Sequence, residues 1–194
     1  MKQFDQQKIA AAVEQLLVAL NQDLSDENIR ETPRRVAKYW TELLEGELYT
    51  NDEIAAMYDK QFNLPTTNNM VVLTDIPIFS HCIHHLALMF DMKVHVAYIP
   101  KDRVIGLSKI PRIVDMVAKR LQLQERICED VAYILQKLLD TTNVAVVIEG
   151  QHGCVAARGI KKINTKTLTE VMNGDFKTNP ALAERFYNLI ERSK

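Results

Sequence analysis

Between residues 70 and 172 the sequence writes its strands in adjacent pairs, with two helices grouped between the pairs. That order constrains the fold more than any other feature of the chain. Met70-Val71-Val72-Leu73 and Ile76-Pro77-Ile78-Phe79 lead to His81-Cys82. Met92-Lys93-Val94-His95-Val96-Ala97-Tyr98-Ile99 then alternates and stops at Pro100, as the second strand of an antiparallel pair does. One helix follows, with Ser108 as its expected N-cap and Ile110, Ile113, Val114, Val117 and Ala118 along one side. Another is expected over residues 123–139, carried by Ile127, Val131, Ile134, Leu135 and Leu138. Val144-Ala145-Val146-Val147-Ile148 is an apolar strand. A polar turn over 150–153 then delivers Cys154, and residues 165–172 supply one more strand. Strands joined as hairpins, with helices grouped between them, indicate an α+β domain rather than a doubly wound one.

Helices flank this unit. Phe4, Ile9, Val13, Leu16, Leu17 and Leu20 fall on one helical stripe that Asn21-Gln22-Asp23 ends. Thr32-Pro33 reads as an N-cap followed by proline at the first helical position; Val36, Tyr39, Trp40, Leu43 and Leu44 give the apolar face, and Gly46 the stop. Residues 47–69, with Pro65 and the run Thr66-Thr67-Asn68-Asn69, read as a connection carrying a short helix. Asn179-Pro180 opens a last helix with Leu182, Phe186 and Leu189 inside. The expected division is a helical extension and connection over 1–69 and a catalytic domain over 70–194.

Cys82-Ile83-His84-His85 sets a thiol and an imidazole three residues apart. In a regular strand such positions face opposite ways, so joint ligation needs a turn at the strand's end. About 70 residues on, His152-Gly153-Cys154 sits where a second strand turns. Two thiolates and one neutral imidazole around a divalent zinc leave no net charge and one open position, where a water is activated near neutral pH. Spacing alone leaves a second reading open, since free cysteine is among the most buried residue types. Cys128, His81 and His95 are expected to be structural.

The composition limits partners. Lysine and arginine number 24 against 25 aspartate and glutamate, a formal net charge of −1, so no global field recommends nucleic acid or an anionic membrane. No apolar run approaches the roughly 18 residues that span a bilayer, and the first residues lack the core of a secretory signal. Three cysteines suit reduced thiols in a cytoplasmic protein better than a disulfide framework.

Several segments together resemble the GTP cyclohydrolase I family: Cys82-x-His84-His85, residues 94–100, Val104-Ile105-Gly106-Leu107-Ser108-Lys109, Gln122-Leu123-Gln124-Glu125-Arg126, and His152-Gly153-Cys154-Val155-Ala156-Ala157-Arg158-Gly159, with Thr32-Pro33-Arg34-Arg35-Val36-Ala37 upstream. The resemblance implies a T-fold, an antiparallel four-stranded sheet with helices on one face, in a homodecamer of two stacked pentamers whose active sites lie at subunit boundaries. It implies hydrolysis of the imidazole ring of GTP to 7,8-dihydroneopterin triphosphate and formate, without a redox cofactor. Carried over by position, Cys82, His85 and Cys154 match zinc ligands, and His84 and His152 match acid/base histidines. Glu125 matches the carboxylate that anchors guanine, with Gln124 beside it. Ser108, Lys109, Arg112 and Arg158 match the ribose- and triphosphate-facing set.

The match breaks at Ile83, where the family has glutamate. An apolar branched side chain cannot orient a histidine or hold a water as a carboxylate does. Three outcomes are compatible with it: an active cyclohydrolase, a paralogue that binds a guanine nucleotide but runs a different or shortened reaction such as ring opening alone, and a catalytically silent zinc-binding ring subunit or regulator.

Overall fold

The computed structural model describes residues 2–63 and 69–193. Pro65 and Thr66-Thr67-Asn68 of the expected connection therefore lie outside the described residues. The elements run α1 (Gln6–Ala19), α2 (Thr32–Leu43), a 3-10 turn (Glu45–Leu48), α3 (Asn51–Met57), β1 (Gln61–Asn63), β2 (Val71–Cys82), β3 (Leu88–Tyr98), β4 (Arg103–Ile105), α4 (Lys109–Ala118), β5 (Leu121–Gln122), α5 (Gln124–Leu139), β6 (Val144–His152), α6 (Gly153–Ala156), β7 (Lys166–Met172), α7 (Asp175–Thr178) and α8 (Pro180–Arg192). The class is α+β, as the paired strands indicate.

The main sheet has the order β5-β2-β3-β6-β7. Its four long strands pair antiparallel, matching the expected four-stranded sheet. The two-residue β5 adds a parallel edge, pairing His81 with Leu121 and Cys82 with Gln122. β2 is one strand rather than two short runs; it bulges between Leu73 and Ile76, where Asp75 takes a φ of 54°. The bulge is pinned from outside the ladder, since the Asp75 backbone N–H donates to His95 Nδ1 at 3.2 Å and Lys93 Nζ to Asp75 Oδ1 at 2.8 Å.

Strand alternation decides which face each helix covers. Val94, Val96 and Tyr98 of β3 and Val144, Val146 and Ile148 of β6 join one core with α4 and α5. In it Ile110, Ile113, Val114, Ile127, Ile134 and Leu135 are fully buried, each worth about 1.5–3 kcal/mol of hydrophobic free energy. Their neighbours Ala97, Ala145 and Val147 point the other way and pack with Phe176, Phe186 and Ile190. Helices α4 and α5 thus cover one face as expected, while α7 and α8 close part of the opposite one. The reason is the period of two: a strand apolar at consecutive positions has two faces to bury.

Helix starts depart from the sequence reading in detail. Thr32 is the first residue of α2 and Glu31 occupies the cap position, so Pro33 is second. Ser108 precedes α4 without making a side-chain cap bond. Asn179 does cap α8, accepting from the Ala181 N–H at 3.2 Å. Residues 47–63 form more than a connection, because Ile54 and Ala55 of α3 enter the main core. Helix α1 packs on α2 with Phe4, Ile9, Val13 and Leu17 half-buried, whereas Leu16 and Leu20 of its expected stripe are exposed.

Candidate metal centre and active site

β2 ends at Cys82, and the chain reverses over the next five residues to begin β3. The reversal is held by Cys82 itself: its carbonyl accepts from the His85 and Leu86 N–H groups at 3.3 and 2.9 Å, and its own N–H donates to Ala87 O at 2.9 Å. Leu86 closes it with a φ of 52°, a left-handed conformation costing a residue with a branched side chain about 1–3 kcal/mol. This turn overrides strand alternation and lets positions 82 and 85 face one point.

Cys154 arrives from β6, which flanks β3 on the side away from β2. β6 continues to His152 and runs directly into the single turn of α6, so residues 150–152 are strand and not the expected polar turn. The β3–β6 ladder shifts register between Lys93 and Phe90 and then resumes, pairing Phe90 with Gln151 and Met89 with His152, so β6 stays paired to its end. Gly153 then passes so close to β3 that a Cβ there would sit 2.9 Å from Leu88 O. Only glycine gives the backbone that approach.

The result is a convergent set. One ligand atom each from Cys82, His85 and Cys154 lies within 4.8 Å of the others. Cys82 Sγ lies 4.0 Å from His85 Nδ1, against about 3.6 Å for sulfur and nitrogen on a tetrahedral zinc. His84 Nδ1 is as near to Cys82, at 3.9 Å, but stands outside the three-residue set. Cys82 is buried, Cys154 half-buried and His85 exposed, so the centre opens to solvent on its imidazole side. Burial, followed by the neighbouring Cys82, pushes the Cys154 thiol up, while Arg158 pulls it down. Two soft thiols and one imidazole, with no fourth protein ligand in the set among the described residues, are donors that would suit zinc with one position open.

The remaining residues divide between the two ends of the domain. His152 stands beside the metal set, with its Nε2 2.9 Å from Gln124 Oε1 at the start of α5. Burial lowers its pKa, and the nearby Glu125 carboxylate partly offsets this. Glu125 is exposed in the first turn of α5, and Arg158 follows α6, also exposed. Ser108, Lys109 and Arg112 are elsewhere. The far end of α4 docks at the metal end, where Ser80 Oγ donates to Ala118 O at 2.8 Å. Lys109 and Arg112 lie nine and six residues earlier on the same helix, about 14 and 9 Å away at 1.5 Å per residue. Along α4 both are thus set back from the metal end of their own chain.

Gln124 is the residue whose setting the sequence hid. Its neighbour Glu125 is exposed, but Gln124 is only 1% exposed, with its amide nitrogen 3.1 Å from Ile148 O and 3.0 Å from Thr167 O. Thr169, which the sequence reading passed over, adds Oγ1 at 3.2 Å from the same nitrogen and 3.4 Å from Cys128 Sγ. Cys128 is fully buried, and burial pushes its thiol up to about 12. His81 and His95 are buried, His81 against Tyr39 and Trp40, as structural residues would be. Ile83 is 41% exposed at the turn, and its backbone N–H donates to Gln122 O at 3.1 Å.

A family model described as GTP cyclohydrolase I matches residues 9–191. GTP cyclohydrolase 1 of Clostridium botulinum strain Hall is 50% identical over 193 residues, covering 97% of this chain and 98% of its own. That of Ruminiclostridium cellulolyticum is 50% identical over 192 residues, covering 96% and 98%. That of Clostridium beijerinckii is 47% identical over 188 residues, covering 94% and 95%.

Proposed function

The chain belongs to the GTP cyclohydrolase I family, and on that premise we propose that it is a zinc-dependent hydrolase converting GTP to 7,8-dihydroneopterin triphosphate and formate. The observation that carries the reading is the convergence of Cys82, His85 and Cys154 beside His84, His152 and Glu125. Zinc held by those three residues would supply a Lewis acid and a water activated near neutral pH.

The chain's own side chains have distinct roles in this reading. Glu125 accepts from guanine N1–H and the 2-amino group, a bidentate charge-assisted pair that fixes the base. His84 and His152 flank the reacting carbon and pass protons to and from the opening ring. Arg158 meets the phosphates from the metal end. Ser108, Lys109 and Arg112 hold the ribose and triphosphate, and the length of α4 supports their coming from a neighbouring copy. A homodecamer with active sites at subunit boundaries meets that need. Among the described residues no helix is long and apolar enough to cross a membrane, which is compatible with the cytoplasmic location we propose.

Ile83 favours a second reading, in which the ring is opened and the reaction stops. One incubation separates the two. Zinc-loaded protein is given GTP, and formate, ring-opened formamidopyrimidine and oxidised fluorescent neopterin are assayed separately. Neopterin and formate in equal amounts support the full reaction. Ring-opened product without neopterin supports the truncated one, and unchanged GTP overturns both. Metal analysis of the same protein should give one zinc per chain.

A further inference from the structure

The side chain of Gln124 is boxed in by chemistry that leaves it one orientation. A carboxamide has two N–H donors on nitrogen and only acceptor sites on oxygen. Its nitrogen faces two backbone carbonyls, Ile148 O at 3.1 Å and Thr167 O at 3.0 Å, which can only accept. Turning the amide over would set its oxygen against both of them in a buried site. The nitrogen's two hydrogens are thereby used, shared among these carbonyls and Thr169 Oγ1 at 3.2 Å. The oxygen must then face His152 Nε2 at 2.9 Å. An amide oxygen cannot donate, so the proton between them belongs to the imidazole.

We propose that Gln124 is a positioning residue for His152: it fixes the ring as the Nε2–H tautomer and leaves Nδ1 as the nitrogen that exchanges protons with the substrate. The family resemblance puts Gln124 among the substrate contacts. The structure gives it 1% exposure and commits its side-chain hydrogens to the sheet, so the side chain acts on the substrate only through the histidine. The sheet is shaped for this. A Cβ on Gly150 would lie 3.4 Å from Gln124 Oε1 and 2.7 Å from Met92 Cγ, so glycine there leaves room for the amide to reach the end of β6. Anchored on two strands and the first residue of α5, Gln124 cannot follow the ring if the ring turns. A histidine held this way has both its plane and its tautomer set before substrate arrives.

The role in turnover rests on the proposed reaction, but the tautomer does not, and the test separates the two. Zinc-loaded protein is labelled with 15N-histidine and studied by solid-state NMR; five histidines give a small set, and the signal missing in His152→Gln identifies His152. In the unaltered protein His152 should show a protonated Nε2 and a bare Nδ1. In Gln124→Met, which keeps the length and removes the acceptor, a substantial Nδ1–H population should appear. A protonated Nδ1 with bare Nε2 in the unaltered protein overturns the proposal whether or not the variant folds. So does an Nε2–H signal unchanged in a folded Gln124→Met. With GTP, Gln124→Met should lower kcat about tenfold to a hundredfold and leave KM within about twofold. A raised KM with kcat intact would instead make Gln124 a substrate contact and overturn the positioning role.

Discussion

If the site is completed by a neighbouring chain, two inactive variants should repair each other when they assemble together. The first variant, Cys154→Ser, damages the metal end and leaves α4 untouched. The second, Lys109→Ala with Arg112→Ala, removes the cations at the start of α4 and leaves the metal end whole. Lys109 and Arg112 stand nine and six residues before Ala118, about 14 and 9 Å along α4 from the end that docks beside Ser80, so the second variant leaves Cys82, His85 and Cys154 unaltered. Each variant alone should be inactive. In a randomly mixed equal assembly, a working site needs an intact metal end from one chain and an intact α4 from its neighbour. Each condition holds for half the chains, so about one quarter of the sites should work. Zinc should fall to about half an ion per chain, because only one of the two variants binds it. The assay is co-expression with two different affinity tags, purification through both, and neopterin formation per chain. Activity no higher than the parents' residue, in assemblies shown to contain both chains, would refute the shared site.

Other perturbations test separate parts of the molecule. Cys154→Ser should lose tight zinc binding by metal analysis while Cys128→Ser keeps one zinc per chain, since Cys128 lies in the core beside Thr169; full zinc in Cys154→Ser would sink the ligand set. Cys128 also gives a pH dependence. Burial raises its thiol from 9.0 to about 12, so its contribution is complete below pH 9 and is lost as pH rises and the unfolded thiol ionises first. The slope is about 1.4 kcal/mol per pH unit across that window, and urea midpoints compared at pH 8 and pH 10 should fall less in Cys128→Ala than in the unaltered protein. Phe186→Ala should cost about 3–5 kcal/mol in denaturant unfolding, because the ring is fully buried under α8. Zinc content should not change, as that helix lies on the opposite face from α4 and α5. Ile83→Glu should raise kcat at unchanged zinc content; unaltered turnover would mean that a carboxylate at this exposed position has no part in the chemistry.

How much was legible depended on the range over which each feature is decided. Strand alternation and helical periodicity are local properties, so the order of elements and the α+β class could be read directly. The requirement for a turn after Cys82 was legible too, because three residues in a strand point the wrong way for joint ligation. Spacing proposed the metal set without excluding buried cysteine. The Leu86 turn and the Gly153 approach to Leu88 bring Cys154 to Cys82 and His85. Periodicity marks a residue as buried but does not name its neighbours. For that reason α8 on the second face and the amide of Gln124 between two strands had no signature in the chain.

Alone, then, the sequence determined the kinds of groups available: two thiols and several imidazoles at strand ends, a carboxylate and an amide side by side opening a helix, and a cationic group opening another. Tertiary structure decided their company. It put Glu125 in solvent and the adjacent Gln124 in the core, and it set Lys109 at the end of α4 opposite Ala118, which docks beside Ser80. The physical reason is that adjacent residues on a helix point about 100° apart, so one can meet substrate while the next meets the sheet. Which sheet atoms it meets depends on strands more than 20 residues away along the chain.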